Sequence, residues 1–456
     1  MIRIFASAFV LLFSITPFAK PLTAEQKLQI DSAVIGILKT SDVPSASIAV
    51  VTDGKLDYAK AYGDQRFDGT PAATTARYPF ASISKQFTAA AILLLVEDGK
   101  MSLGDKVAKY LPTLTSAKSI TVRQLLSHTS GYRDFWPQNY RFQAMTKPTT
   151  PQAILDRWAK APLDFKPGTK YQYSNTGYTA AGLIAEMVAK EPLFAFEQRR
   201  IFKPLGMEVV QSTDSMSPAD PVGSFRYALG PVRPIGPELA GWTFAAGDLA
   251  ISPSELAKWN IARLKRMVLK PQSWQTQETN AIPAEAGRKY GLGVRIDAVG
   301  QHPRILHNGA LTGYLSTNRV YPANGAAVTV AINAGFSNTQ DAIADAIEAV
   351  ILELQDDTAV ALALFNMVRT GQIDRSRFTE NAIFYFTPIA LADYSRSLTP
   401  LGEVTSVVRR TPAALRGGLS SEEFIFTFAS RKLLGILRTE PDSGRVEEFS
   451  LEPFTD

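Results

Sequence analysis

No cysteine occurs among the 456 residues, which excludes disulfides, thiolate metal sites, a cysteine nucleophile and a lipid-bearing N-terminal cysteine. Histidine is nearly as scarce. His128, His302 and His307 are the three in the chain, and none stands in a His-Glu-x-x-His pattern, so no metal or other cofactor is expected. No uninterrupted apolar run reaches the roughly eighteen residues of a membrane-crossing helix, so no integral membrane span is expected. The net charge of +5 comes without a dense Lys/Arg run and reads as solvated surface, with no nucleic-acid partner. Internal repeats, low-complexity tracts and the Gly-x-Ser-x-Gly elbow of lipase-type hydrolases are also missing.

What is present is an ordinary globular composition, 45% hydrophobic and 20% charged, in a chain long enough for one large domain and a smaller one. Met1-Ile-Arg3, the apolar run Ile4 to Ile15 and Thr16-Pro-Phe-Ala-Lys20 have the order of a secretory signal peptide, expected at residues 1–19. A periplasmic or secreted location follows from that pattern. It also suits a chain without disulfides.

Periodicity predicts a helix from Ala24 to Leu38, and Asp53-Gly54 joins two strands, Ser45 to Val51 and Leu56 to Tyr62, in a hairpin. Leu103 to Leu264 reads as mostly helical, with helices at Thr121–Ser127, Pro151–Lys160, Thr176–Lys190 and Pro253–Leu264. Strand patterns return at Gly291–Asp297, Arg304–Leu306, Ser316–Tyr321 and Ala326–Ala334, before a helix at Asn338–Leu354. The fold class is therefore α/β (α+β), an antiparallel sheet built from both ends of residues 20–355 and flanked by helices, with a helical insertion. Residues 356–456 start afresh as a small accessory α+β domain, with a helix at Ala359–Val368 and strands at Ala382–Phe386, Glu403–Arg409, Glu423–Phe428, Leu433–Arg438 and Val446–Leu451.

The reactive pair is read at the start of the apolar helix Phe80–Val96. Ser82 and Lys85 are three residues apart and share a helix face, so the amine reaches the hydroxyl from spacing alone. Burial beside Ala89 to Val96 would lower the Lys85 pKa and make it a base, and the helix N-terminus would favour an oxyanion at Ser82. Two further motifs follow in order: Tyr173-Ser174-Asn175 in a connector before a helix, and His307-Asn308-Gly309 at the end of a predicted strand.

Ser82-x-x-Lys85, Tyr173-x-Asn175 and His307-x-Gly309 together resemble the three motifs of the penicillin-recognising serine hydrolases, in the branch of class C β-lactamases, D-Ala-D-Ala carboxypeptidases, D-aminopeptidases and related esterases. The flanks Ile120-Thr-Val-Arg-Gln-Leu-Leu-Ser-His-Thr-Ser-Gly131 and Phe244-Ala-Ala-Gly-Asp-Leu249 resemble the same family. The resemblance covers about residues 25 to 355 and implies a β-lactamase-like sandwich with a cleft beside a helical domain. It implies Ser82 as nucleophile of an acyl-enzyme, Lys85 and Tyr173 sharing proton transfer, and Asn175 orienting Lys85 and the substrate. His307 and Gly309 would line the substrate site, with the N–H groups of Ser82 and Ala310 as oxyanion hole.

His307 stands where many β-lactamases carry Lys, so strong β-lactam turnover is not expected. The expected activity is hydrolysis of a small ester, amide or peptide, esterase-like in the first instance. A D-Ala-D-Ala carboxypeptidase, D-aminopeptidase or β-lactamase is the alternative within the family. A non-catalytic cell-wall or peptide binding module is the alternative outside it. The oligomeric state is not encoded in any motif.

Overall fold

The computed structural model describes residues 19–211, 216–279, 281–284, 288–354 and 357–454. The expected signal peptide lies outside them apart from Ala19. The chain divides after Leu352 into two compact units.

The sheet of the first unit starts with β1 (Ser45–Thr52) and β2 (Lys55–Gly63) and is completed by β3 (Arg295–Val299), β4 (His302–Leu311), β5 (Tyr314–Tyr321) and β6 (Ala326–Ile332). Their order is β2-β1-β6-β5-β4-β3, all antiparallel, with the two-residue strands Lys289–Tyr290 and Ile282–Pro283 beyond β3. Both β1 and β6 are buried at every position, as unbroken apolar runs are when helices cover both faces of a sheet. The tight turn between β1 and β2 uses Asp53 and Gly54 at φ of 49° and 63°, the positive pair such a hairpin requires.

Helix Ala24–Ser41 opens with a capping box between Thr23 and Gln26 and packs on helix Thr339–Ile351, while Pro253–Leu264 packs against β1 and β6. The helix expected to start at Phe80 begins later. Ala81–Ser84 is a 3-10 turn, and the α-helix runs from Lys85 to Glu97 with Lys85 to Leu95 buried throughout. Ser82 is therefore not an α-helix N-cap. It sits in a tighter turn in which residues three apart eclipse one another, and the serine and the lysine still meet.

The middle of this unit is less helical than its composition predicts. Helices Val122–Leu126, Asn175–Ala189 and Pro253–Leu264 are present, but most of 127–150 and 160–174 is irregular. His307-Asn308-Gly309 is another difference: it lies inside β4, not at its end. Strand β3 pairs with His302 to Leu306 alone, so His307–Leu311 has β5 on one edge and no strand on the other. That free edge packs on the 3-10 turn that carries Ser82.

The second unit, after Leu352, has helices Asp357–Thr370, Glu380–Tyr385 and Pro388–Leu398, then a meander of four antiparallel strands, Ser406–Arg416, Leu419–Thr427, Lys432–Thr439 and Val446–Phe454. Phe365, Phe386, Phe424, Phe426 and Phe449 form its core. The strand expected at Ala382–Phe386 is a helix. Thr379 caps it by accepting from the Ala382 N–H, and Ala382 and Phe386, four apart, are both buried.

Gly309 sets how closely β4 approaches the serine turn. A Cβ there would lie 2.2 Å from the Phe80 carbonyl oxygen and 2.4 Å from Ser316 Oγ. Gly309→Ala is expected to fold with a loss of about 1–3 kcal/mol, as overpacked sites show. Urea denaturation checks this, and an unchanged midpoint would contradict the close approach.

Candidate active site

Three separate segments bring polar groups to the buried end of helix Lys85–Glu97. Lys85 itself is fully buried, and its Nζ lies 3.0 Å from Ser82 Oγ, 2.7 Å from Asn175 Oδ1 and 2.7 Å from the Ala246 carbonyl oxygen. The last two are acceptors only. A neutral amine gives its two N–H groups to them and turns its lone pair to the Ser82 hydroxyl, which is the arrangement of a base.

Burial drives the Lys85 amine down to about 7, Asp134 opposes this through its negative charge, and Arg295 reinforces it. The rings of Tyr173 and Tyr178 lie 4.8 and 5.4 Å from the nitrogen. Tyr173 behaves in the opposite way. Burial raises its phenol well above the ordinary value, with Ser82 lowering it in part, and its hydroxyl is buried without a hydrogen bond to another residue. It is a protonated phenol at neutral pH, suited to donate rather than to abstract. These surroundings suit Lys85 to accept a proton and Tyr173 to donate one, roles that the sequence left shared.

Asn175 starts helix Asn175–Ala189, where Ser174 accepts from the Gly177 N–H as N-cap. Its orientation is fixed by Asp134, which accepts from the Asn175 backbone N–H at 3.0 Å and from Nδ2 at 3.1 Å, and from the Trp136 N–H at 3.2 Å. With Nδ2 so engaged, Oδ1 must face Lys85. Asp134 was not singled out in the sequence. It belongs to an irregular stretch just beyond the recognised Ile120–Gly131 segment, and no local pattern marks it.

The turn before the nucleophile is strained: Ala81 has φ +49°, against the backbone of which Gly247 packs. Ala245, at φ +54°, and Ala246 belong to the Phe244–Leu249 stretch noted in the sequence, and its structural use is to present the Ala246 carbonyl to Lys85. Helix Asn175–Ala189 permits this at Gly182, where a Cβ would lie 2.4 Å from Ala245 Cβ.

A cavity of about 730 Å³ opens over Ser82. Asp134, Tyr173, Asn175, Trp136, Trp242 and Phe336 are in its wall, and Ala310 is the third-motif residue that reaches it. His307 and Gly309 do not line it. His307 is buried behind, its Nδ1 2.7 Å from the Asn308 carbonyl and its Nε2 3.0 Å from the Tyr290 hydroxyl. The carbonyl can only accept, so Nδ1 carries the proton and Nε2 receives the phenol. Burial, with the positive charge of Arg295, holds this imidazole neutral.

The guanidinium of Arg295, half-buried on β3, has no hydrogen bond or ion pair to another described residue. Among the described residues no group of His, Asp and Glu could hold a metal, and no helix is long and apolar enough to cross a membrane.

Acylation should therefore gain speed as pH rises through about 7, because the unprotonated fraction of Lys85 grows above its pKa. A pH profile of kcat/KM checks this. A flat profile from pH 5 to 9 would contradict it. Asp134→Asn replaces an acceptor facing the Asn175 amide by one that also carries donors, and should cost about 1–3 kcal/mol and most of the turnover. Unchanged melting and activity would show that Asn175 is oriented by other means.

Comparison with known proteins places this geometry in context. The family model described as Beta-lactamase matches residues 30–353. Protein flp of Staphylococcus aureus (strain MW2) is 31% identical over 255 residues, covering 52% of this chain and 49% of that protein. A putative D-alanyl-D-alanine carboxypeptidase of Escherichia coli (strain K12) is 28% identical over 183 residues, 36% of this chain and 42% of that protein. The chain thus spans about half the length of the curated relatives it matches. Among solved structures, a D-stereospecific amidohydrolase from Streptomyces sp. superposes with a TM-score of 0.61 at 26% identity, over 71% of this chain and 99% of that one.

Proposed function

The chain belongs to the beta-lactamase family of serine hydrolases, and from that premise we propose that it is an exported enzyme that cleaves an amide or short peptide bond through a Ser82 acyl-enzyme. The observation that carries the reading is the division of labour around Ser82. Lys85 Nζ lies 3.0 Å from Ser82 Oγ with its amine brought down to about 7, and Tyr173 keeps its proton in the same site with no hydrogen bond from its hydroxyl to another residue.

Lys85 takes the Ser82 proton as Oγ attacks the carbonyl, and the oxyanion forms at the N–H groups of Ser82 and Ala310. Tyr173 then supplies a proton to the departing nitrogen and is reprotonated from Lys85. An amine leaves only when protonated, whereas an activated alkoxide leaves without help. A dedicated acid thus favours amides over the esters expected from sequence. The relative named as a D-stereospecific amidohydrolase supports the same preference. Water, activated in the same way, releases the acyl group.

Asp134 is the one formally charged group in the cavity wall among the described residues, and Trp136, Trp242, Phe336, Leu311 and Leu315 give it apolar surface. That wall suits an uncharged or ammonium-bearing substrate with a bulky apolar side chain. Neutral His307 offers no cation to a β-lactam carboxylate, which supports weak β-lactam turnover. The carboxypeptidase alternative has one observation of its own: Arg295, unpaired and close enough for its charge to act on Lys85, Tyr173 and His307, could receive a terminal carboxylate. Export rests on the pattern of residues 1–19 and on the absence of cysteine.

The test is a panel of D- and L-amino-acid amides, a D-Ala-D-Ala-terminated peptide, an activated short-chain ester and a β-lactam, each followed by turnover and intact mass. The expected outcome is fastest turnover of an amide with an apolar side chain, a Ser82-dependent acyl adduct, and no adduct in Ser82→Ala. Turnover retained by Ser82→Ala would overturn the mechanism. Preference for the D-Ala-D-Ala peptide, lost in Arg295→Ala, would favour the carboxypeptidase.

A further inference from the structure

His128 packs its ring against Tyr173, and the mechanism has no use for this histidine. It is buried, and its backbone is in the left-handed region at φ +58°, a conformation in which His is tolerated better than most residues. Its contacts converge on one neighbour. The His128 carbonyl accepts from the Gln172 N–H at 2.9 Å, and its Nδ1 accepts from the Ser174 N–H at 3.0 Å. These two bonds hold the residues on either side of Tyr173. The imidazole ring itself lies against the Tyr173 ring, with centroids 4.2 Å apart and planes 35° from parallel.

We infer that His128 is a positioning residue for Tyr173, a clamp that fixes the phenol at Ser82 by gripping its backbone from both sides and backing its ring. The inference rests on the reading of Tyr173 as the acid that protonates the leaving group.

The clamp depends on a neutral imidazole with an unprotonated Nδ1, because an Nδ1–H would face the Ser174 N–H donor to donor. The surroundings enforce that state. Burial above all, with the positive charge of Arg295, disfavours the cation. Nδ1 therefore accepts and Nε2 carries the hydrogen. Nε2 is buried without a hydrogen-bond partner, enclosed by the rings of Tyr171, Tyr173, Tyr178 and Tyr290. A burial this costly for a polar atom is retained where the other nitrogen serves a geometric purpose.

The positioning role predicts a leaving-group signature that a purely structural role would lack. Activated esters depart without protonation, so displacing Tyr173 should slow amides more than esters. Three variants separate the clamp from mere packing. Asn at position 128 tolerates the left-handed backbone and places Oδ1 near the position of Nδ1. Gln reaches instead toward the position of Nε2, and Ala offers no acceptor.

The experiment measures kcat/KM for one amide and one activated ester of the same acyl group in wild type, His128→Asn, His128→Gln, His128→Ala and Tyr173→Phe. Burst titration with the ester counts the folded sites. The expected result is an amide-to-ester ratio lowered by about tenfold or more in His128→Gln, His128→Ala and Tyr173→Phe, and largely restored in His128→Asn. Equal losses on both substrates in Gln and Ala, or an Asn variant no better than Gln, would overturn the clamp. If Ala does not fold, the Asn and Gln pair decides alone. A ratio unchanged in Tyr173→Phe would remove the reading of Tyr173 and the clamp with it. A changed ratio in Tyr173→Phe but not in His128→Gln would remove only the clamp.

Discussion

Burying an amine without a carboxylate beside it is the constraint on which the rest of this site depends. Lys85 is fully enclosed, and what faces its nitrogen is one amide oxygen, one backbone carbonyl, one hydroxyl and two aromatic rings. Such surroundings do not repay the desolvation of a full charge. The amine loses its proton at a pH where free lysine keeps it, which is what a base for the serine requires. Asp134 shows how narrow the balance is. Its carboxylate is near enough to favour the cation, but it is engaged by the Asn175 amide and by backbone N–H groups, so its effect stops short of an ion pair.

The surrounding fold holds this arrangement mostly through close backbone approaches. Gly309 lets β4 reach the serine turn, Gly182 lets a helix press against Ala245, and Gly247 packs on strained Ala81. Each contact is between elements far apart in sequence. The site is a junction of β4, the serine turn, the 244–247 loop and the start of helix Asn175–Ala189, and none of these carries the chemistry alone.

The legible part of the site was the part written in local spacing. Ser82 and Lys85 are one turn apart, Tyr173 and Asn175 flank an N-cap serine, and the hairpin around Asp53-Gly54 follows from turn chemistry; these are short-range consequences of residue type. The sheet was legible for the same reason, since β1 and β6 are largely apolar runs of strand length and β5 is bounded by aromatic and aliphatic residues. Asp134, His128 and Arg295 were not legible, because what they do depends on contacts 41, 46 and more than 100 residues away, and nothing in their own surroundings announces it. His307 was legible as a position but not as a state. Its neutrality comes from burial and from the charge of Arg295 nearby, which only the folded chain supplies. Ala382–Phe386 reads as a strand because two buried residues four apart fit either period until the Thr379 cap is seen.

The two acceptors on Lys85 have a further consequence for traffic at the site. Asn175 Oδ1 and the Ala246 carbonyl occupy the N–H directions of the amine, and its third direction ends at Ser82 Oγ. The nitrogen therefore has a single port. In the proposed reaction, a proton taken from the serine is held at that one opening, beside Ser82 and within reach of the site that Tyr173 shares. An amine enclosed in this way suits a shuttle rather than a drain.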